Sequence, residues 1–159
     1  MLIGIISDTH DNMTALRKAV DYFNTAMVEH VIHAGDYVSP FTFREMKRLN
    51  AKFTGIFGNN DGDKLLLQKQ SDRTIHNQPH IFELANKKII VMHEHLIIDA
   101  LADSGHYDLV IYGHTHVPEI RKVKKTLIIN PGEASGWLYG KSTIAVVDLT
   151  EMAAEIIEL

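Results

Sequence analysis

Short apolar runs alternate with segments of helical spacing through the first sixty residues. The runs, which predict buried strands, are residues 2–6 (LIGII), 31–35 (VIHAG) and 53–57 (FTGIF). Between them, residues 12–27 carry apolar side chains at helical spacing, with Asp11 or Asn12 as the cap. A second helix is predicted over residues 40–49, because Pro40 suits a first helical turn. This β-α-β-α-β order predicts parallel strands joined by right-handed crossovers.

The second half of the chain favours antiparallel strands. Residues 80–93 predict a hairpin that turns at Ala85 and Asn86, residues 96–104 a short helix, and residues 108–113 another buried strand. Three further alternating segments, predicted as antiparallel strands, are residues 119–130, 142–149 and 153–159. The whole pattern predicts one α/β domain spanning residues 1–159, with two sheets.

Polar side chains follow five of the predicted strands. They are Asp8 and His10 after the first strand, then Asp36, Asn59, His93, and finally His114 with His116. Ligands of open α/β sheets bind beyond the carboxyl ends of the strands, so these seven side chains are expected at one edge. Each could separately be a turn residue, a cap or a hydrogen-bonded histidine; their occurrence together, in order, favours a site.

The donor types in this set suit two metal ions. Two carboxylates, four imidazoles and one carboxamide exceed the needs of a single ion, and so much imidazole argues against Mg²⁺. The chain has ten histidines and no cysteine, which excludes disulfides and thiolate–zinc sites. The sequence therefore predicts two divalent transition-metal ions, with Mn²⁺ first and Ni²⁺, Fe²⁺, Zn²⁺ or Co²⁺ as alternatives.

Charge and hydropathy limit the partners. The net charge of −4 argues against a broad nucleic-acid surface, and the basic stretch at residues 121–125 is short enough to be a solvated strand face. No apolar stretch approaches the roughly 18 residues of a membrane span, and the N-terminus does not resemble a signal peptide. A cytoplasmic location is the default expectation. The sequence leaves a homo-oligomer open.

Five motifs together resemble the calcineurin-like metallophosphoesterases, closest to the small phosphodiesterases that lack a cap domain. The motifs are SDTHD at 7–11, GD at 35–36, GNND at 58–61, HEH at 93–95 and GHTH at 113–116, and NPGE at 130–133 resembles a late turn of the same branch. The resemblance covers nearly the whole chain. It implies a four-layer α-β-β-α sandwich of two mixed sheets flanked by helices.

The resemblance also implies roles for the seven side chains. Asp8, His10 and His116 would hold one ion. Asn59, His93 and His114 would hold the other, and Asp36 would bridge both. Such a pair of ions, about 3–4 Å apart, acidifies a bridging water for in-line attack on a phosphodiester, the implied substrate.

The GNND motif departs from the family pattern at its third position. Asn60 stands where the family has a histidine that serves the transition state or the leaving group. A carboxamide donates hydrogen bonds but cannot act as a general acid, so Asn60 is expected near the phosphoryl oxygens. Asp61 has no histidine to orient and is expected to cap the helix at residues 63–70.

A second departure lies at Glu94, where the family usually has glycine. Glu94 either faces solvent or narrows the pocket, and the neighbouring His95 is the candidate proton donor for the leaving group. His33 is expected to be buried, near the site or in the core. The other histidines, predicted to lie on the surface, are His30, His76, His80 and His106.

Two other functions are compatible with these motifs. One is a non-catalytic scaffold on the same fold, like the trafficking-coat subunit that resembles this family. Scaffolds of that kind lose metal ligands, whereas this chain keeps all seven. The other is a phosphomonoesterase or nuclease, because the fold and motifs do not name the substrate.

Overall fold

The computed structural model describes residues 1–159 and contains eleven strands, four α-helices and one 3₁₀ turn. The strands are β1 (Leu2–Ile6), β2 (His30–His33), β3 (Lys52–Ile56), β4 (Ile75–His76), β5 (His80–Leu84), β6 (Lys87–Val91), β7 (Leu109–Ile111), β8 (Glu119–Val123), β9 (Thr126–Asn130), β10 (Thr143–Asp148) and β11 (Ala153–Glu158). The helices are α1 (Met13–Thr25), α2 (Phe43–Met46), α3 (Lys64–Gln70) and α4 (Ile98–Asp103), and the 3₁₀ turn is Pro40–Thr42. None of the helices combines the length and apolar character that a bilayer crossing requires.

Two mixed sheets form the middle of the molecule. The first has the order β11-β10-β1-β2-β3-β4, in which β1 to β4 run parallel, β10 pairs antiparallel with β1, and β11 pairs antiparallel with β10. The second has the order β5-β6-β7-β9-β8, with β6, β7 and β9 parallel and an antiparallel strand at each edge. The predicted hairpin is confirmed, since Leu84 pairs with Lys87 across Ala85 and Asn86.

Three apolar clusters produce four layers. The central one lies between the sheets, where Ile3 and Ile32 of the first pack with Ile89 and Ile129 of the second. A second cluster includes Phe23 and other buried residues of the helices beside the first sheet, and a third joins α4 to the second sheet. The α-β-β-α sandwich is therefore confirmed. Strands covered on both faces explain why so many of the predicted strands are continuous apolar runs rather than alternating patterns.

Helix α1 begins where the sequence predicts. Of the two candidate caps, Asn12 is the one used, because its side-chain oxygen accepts the Ala15 N–H at 3.1 Å.

The second helix is shorter than the sequence predicts, so the predicted extent of residues 40–49 is wrong. It consists of the 3₁₀ turn and the single turn α2, after which the Arg48 N–H bonds the Glu45 carbonyl three residues back and tightens the end.

Three smaller expectations also need correction. The 119–130 segment is not one strand but two, because β8 and β9 pair antiparallel across Lys124 and Lys125. The strand predicted over residues 31–35 ends at His33, so Ala34 and Gly35 belong to the following loop. His30, expected on the surface, is buried, and its Nε2 lies 2.9 Å from the Thr54 hydroxyl.

Candidate metal centre

Five loops place the seven predicted side chains at one end of the sandwich. The loops follow β1, β2 and β3 of the first sheet and β6 and β7 of the second. Hydrogen bonds join the two groups of loops: the His114 N–H donates to Asp8 Oδ2 at 3.1 Å, and His93 Nδ1 lies 2.8 Å from the Ala34 carbonyl oxygen. The site is therefore formed between the carboxyl ends of both sheets, as the strand pattern predicts.

Asp8, His10 and His116 form the first cluster. His116 Nε2 lies 3.4 Å from Asp8 Oδ1, and His10 Nε2 lies 3.8 Å from the same oxygen. The His10 and His116 rings stack with their centroids 5.1 Å apart. One ligand atom from each residue lies within 4.8 Å of the others, which is close enough for one ion to contact all three.

Asp8, Asp36 and His93 form a second cluster that meets the same distance limit. All three are buried. Asp36 Oδ2 lies 3.3 Å from His93 Nε2 and 3.5 Å from His10 Nε2. A single carboxylate oxygen of Asp36 therefore faces imidazole nitrogens of both clusters.

Asn59 and His114 complete the group on the side of His93. Asn59 Oδ1 lies 2.9 Å from His93 Nε2 and 3.0 Å from His114 Nδ1. The His93 and His114 rings meet edge to face at 5.1 Å. The structure thus brings all seven predicted side chains together.

Two buried atoms in this group lack hydrogen-bond partners, namely Asp8 Oδ1 and His10 Nε2. At 3.8 Å they are too far apart to bond each other. Bonds of about 2.0–2.2 Å from one divalent ion to nitrogen and oxygen ligands place those ligands roughly 3–4 Å apart. The spacing and the nitrogen–oxygen donor set therefore fit a divalent transition metal.

The electrostatics of the site favour cations. Burial alone would raise the pKa of Asp36, but hydrogen bonding and charge from His93, with two donors from Asn60, hold it well below its usual range. Burial alone would lower the pKa of His93, yet the carboxylates of Asp36 and Asp8 raise it. The pKa of His10 is raised chiefly by its interaction with Asp8. The ionised carboxylates thus create a negative region that attracts positive charge.

The loops hold the site in an unusual backbone conformation. Five of the seven residues have positive φ angles: Asp8 at 53°, His10 at 39°, Asp36 at 62°, His114 at 66° and His116 at 62°. For residues other than glycine this region costs of order 1–3 kcal/mol each, and such residues concentrate at functional sites. The spacing of these residues in the sequence does not reveal their positive φ angles.

Glu133 is a buried residue of the site whose role the sequence analysis missed. Its Oε2 lies 3.0 Å from His116 Nδ1 and accepts the Ser135 hydroxyl at 2.9 Å. Its carboxylate also accepts the Leu138 and Tyr139 N–H groups. Burial would raise the pKa of Glu133, but His116 and these donors lower it. A carboxylate that bonds one ring nitrogen of a ligating histidine fixes the orientation of the other. In His116, Glu133 bonds Nδ1, and Nε2 faces Asp8.

Asp61 does not cap α3, contrary to expectation. The cap is Asp63, which accepts the Leu66 N–H at 2.9 Å. The buried Asp61 carboxylate instead accepts four backbone N–H groups, from Asp36, Tyr37, Val38 and Gly58. It therefore ties the loop after β2 to the loop after β3. Three of these donors lie 23 to 25 residues earlier in the chain, in the loop after β2, so local spacing could not reveal them.

Replacing Asp61 with alanine should destabilise the protein by about 3 kcal/mol or more, because it leaves buried N–H groups without an acceptor. Asp63→Ala in the same segment should cost only about 1 kcal/mol, the usual effect of losing a cap. Urea unfolding of the two variants measures the difference. Equal losses, or a larger loss for Asp63→Ala, would contradict the role given to Asp61.

The remaining predicted residues surround this centre. Asn60 donates from Nδ2 to Asp36 Oδ2 at 2.7 Å and from its backbone to Asp36 Oδ1 at 2.9 Å. The exposed His95 ring stacks 5.9 Å from His114, and Glu94 is exposed. His33 is buried as expected; its Nε2 lies 3.2 Å from the Thr9 hydroxyl, and burial lowers its pKa to about 3.

Known proteins resemble this chain in both sequence and fold. Residues 1–152 match the model of the calcineurin-like phosphoesterase superfamily domain. The chain belongs to this superfamily. The family predicted from the five motifs is therefore confirmed, and with it the enzyme class, a metal-dependent hydrolase of phosphoric esters.

Individual relatives support the same conclusion. A phosphodiesterase of Methanocaldococcus jannaschii is 41% identical over 93% of this chain and 93% of its own length. A probable metallophosphoesterase of Methanothermobacter thermautotrophicus is 30% identical over 99% of this chain and 92% of its own. These matches cover nearly the whole of each protein.

Solved structures agree in fold. The structure of an archaeal phosphodiesterase, 39% identical, superposes with a TM-score of 0.93 over 100% of both chains. Wild-type Vps29 of Entamoeba histolytica, complexed with Zn²⁺, is 19% identical, with a TM-score of 0.72 over 100% of this chain and 98% of its own. The second likeness concerns the fold alone.

Proposed function

We propose that the chain is a dinuclear-metal-dependent phosphodiesterase. The observation that carries this proposal is the position of Asp36 Oδ2, which lies 3.5 Å from His10 Nε2 and 3.3 Å from His93 Nε2. A carboxylate that faces nitrogen donors on two sides suits a bridge between two ions better than a ligand of one.

The proposed ligand sets follow the two sides of this carboxylate. Asp8, His10 and His116 hold one ion, and Asn59, His93 and His114 hold the other. Nitrogen donors from four histidines favour Mn²⁺, Fe²⁺, Co²⁺, Ni²⁺ or Zn²⁺ over Mg²⁺. Mn²⁺ remains our first choice. Because Asn59 is neutral, the filled site keeps a positive charge and attracts a phosphate ester.

When bound, two such ions supply Lewis acidity toward the phosphoryl oxygens and lower the pKa of water. The chain supplies the rest of the chemistry. Asp36 and Asp8 provide the negative charge of the site, and Glu133 orients His116. Asn60, whose Nδ2 already donates to Asp36, provides an N–H group for a phosphoryl oxygen. His95, exposed beside His114, provides a proton for the departing oxygen.

The similar phosphodiesterase of M. jannaschii supports a diester substrate, since it aligns over 93% of both proteins. The scaffold alternative would not need seven donor side chains held in strained loops. Phosphomonoesterase or nuclease activity is the other alternative to the proposed phosphodiesterase activity.

Metal content and turnover test the proposal together. Protein saturated with Mn²⁺ should carry two equivalents by elemental analysis and should hydrolyse bis(p-nitrophenyl) phosphate faster than p-nitrophenyl phosphate. One equivalent at saturation would reject the dinuclear site. Faster hydrolysis of the monoester would favour a phosphomonoesterase, and metal binding without turnover of either ester would favour a scaffold.

Replacing Glu133 with glutamine should weaken metal binding about 10- to 100-fold, because an amide cannot accept all the donors that converge on this carboxylate. Isothermal titration calorimetry with Mn²⁺ measures the change. Glu151→Gln removes an exposed carboxylate and serves as the control. Unchanged affinity in Glu133→Gln would show that His116 needs no such support.

A further inference from the structure

A cleft of about 440 Å³ opens directly beside the proposed metal centre. It is lined by His10, Val38, Asn60, His116, Trp137 and Leu138. Three of these residues belong to the proposed catalytic centre, and the other three are apolar. A phosphodiester bound at the centre carries a second ester substituent, and a cleft lined by the proposed ligands His10 and His116 is placed to receive it.

Trp137 is the largest side chain of this cleft. It is 64% exposed, although an indole is costly to leave in water. Its Nε1–H donates to the His10 carbonyl at 3.2 Å, so the polar edge of the ring is satisfied and the exposed part is hydrocarbon. Trp137 is thus tied to the backbone of a proposed ligand while its ring stays available for a contact.

The loop that carries Trp137 is well anchored. Glu133 accepts the Tyr139 N–H at 2.7 Å and the Leu138 N–H at 3.0 Å. The Gly140 N–H bonds the Gly136 carbonyl at 3.2 Å and closes the turn. The carboxylate that orients His116 therefore also positions the tryptophan, which fixes the ring relative to the metal centre.

Charge indicates what the cleft can accept. Its lining has no lysine or arginine, whereas the separate groove that contains Phe41 includes Arg44 and Lys47. A second phosphate group would find no lysine or arginine side chain to pair with here. A neutral, planar substituent would instead cover the apolar side chains and the indole.

We propose that Trp137 is a specificity-determining residue that stacks against a planar aromatic ester substituent of the substrate, either an aryl ring or a nucleobase. This proposal rests on the proposed phosphodiesterase function. It gives that function a substrate class: phosphodiesters with at least one aromatic substituent, selected through ring stacking rather than through charge.

Kinetics with two diesters that share a leaving group test the proposal. Phenyl p-nitrophenyl phosphate and methyl p-nitrophenyl phosphate differ only in the substituent that stays on phosphorus. The parent protein, loaded with Mn²⁺, should have a lower KM for the phenyl ester. Trp137→Leu should reduce this preference about 5- to 150-fold, the range that base–aromatic stacking spans. Trp137→Phe should retain much of it.

Phe41→Ala is the control, because Phe41 is 66% exposed in the other groove and touches no part of the proposed centre. An unchanged preference in Trp137→Leu would overturn the proposal. So would an equal loss in Trp137→Phe, which would assign the effect to the indole N–H. Failure of the parent protein to hydrolyse either ester would instead overturn the phosphodiesterase function.

Fluorescence provides a readout that does not depend on turnover. Trp137 is the sole tryptophan of the chain, so its emission reports on this cleft alone. Adenosine 5′-monophosphate should quench it, whereas ribose 5-phosphate, which has the same phosphate but no base, should not. Equal quenching by both compounds, or quenching by neither, would contradict stacking.

Discussion

Replacing Asp36 with asparagine should lower turnover of bis(p-nitrophenyl) phosphate by about 10³-fold or more. The substitution keeps the size of the side chain but removes the charge of the one oxygen that faces both His10 and His93. Loss of fixed charge beside a reacting phosphoryl group is among the largest effects a single side chain can have. Elemental analysis should show fewer bound ions in the variant.

The control for this variant is Asp72→Asn. Asp72 is exposed, and its φ of 52° resembles the 62° of Asp36, so the backbone demand is matched. The Asp72→Asn variant should retain the activity of the parent protein. If Asp36→Asn bound two ions and kept near-normal turnover, Asp36 would not be the bridging ligand.

The second large effect should appear across diesters of graded leaving-group pKa. His95→Ala should slow alkyl diesters far more than nitrophenyl diesters, because a basic alkoxide needs a proton as it departs. General acid assistance contributes roughly 10²- to 10⁴-fold where it operates. The measurement is the slope of log rate against leaving-group pKa, which should be steeper in the variant than in the parent.

Asn60→His complements this experiment. Asp61 could orient a histidine at position 60 only with a free lone pair, and its two oxygens already accept four backbone N–H groups. The Asn60→His variant should therefore hydrolyse alkyl diesters faster by less than the roughly 10²- to 10⁴-fold that a well-oriented general acid contributes. An equal slope in the parent and His95→Ala, with chemistry rate-limiting, would exclude His95 as the donor.

The sequence predicts the features of this fold that depend on local pattern. The strands, the turn at Ala85–Asn86 and the cap of α1 all follow from periodicity and from residue types at element ends. The seven-residue set is predictable for the same reason, because each side chain directly follows an apolar run. In the structure these seven side chains lie close together.

Features that depend on contacts between loops were missed. Asp61 near a short helix is a plausible cap by its position, and only the fold shows that its carboxylate lies beneath the loop after β2. Glu133 in NPGE resembles a turn residue until His116 is found beside it. The separation of β9 from β10 likewise depends on which sheet offers a free edge, which strand patterning does not specify.

The left-handed backbone at His114 opposes selection for stability to selection for function. Glycine would adopt this conformation without strain, so a stability screen of random variants would tend to enrich glycine at this position. Such a variant would lose a proposed ligand and gain a more relaxed loop. An engineering programme guided by melting temperature alone would thus convert the enzyme into a sturdier and inactive protein, and it would need a metal-binding readout to avoid doing so.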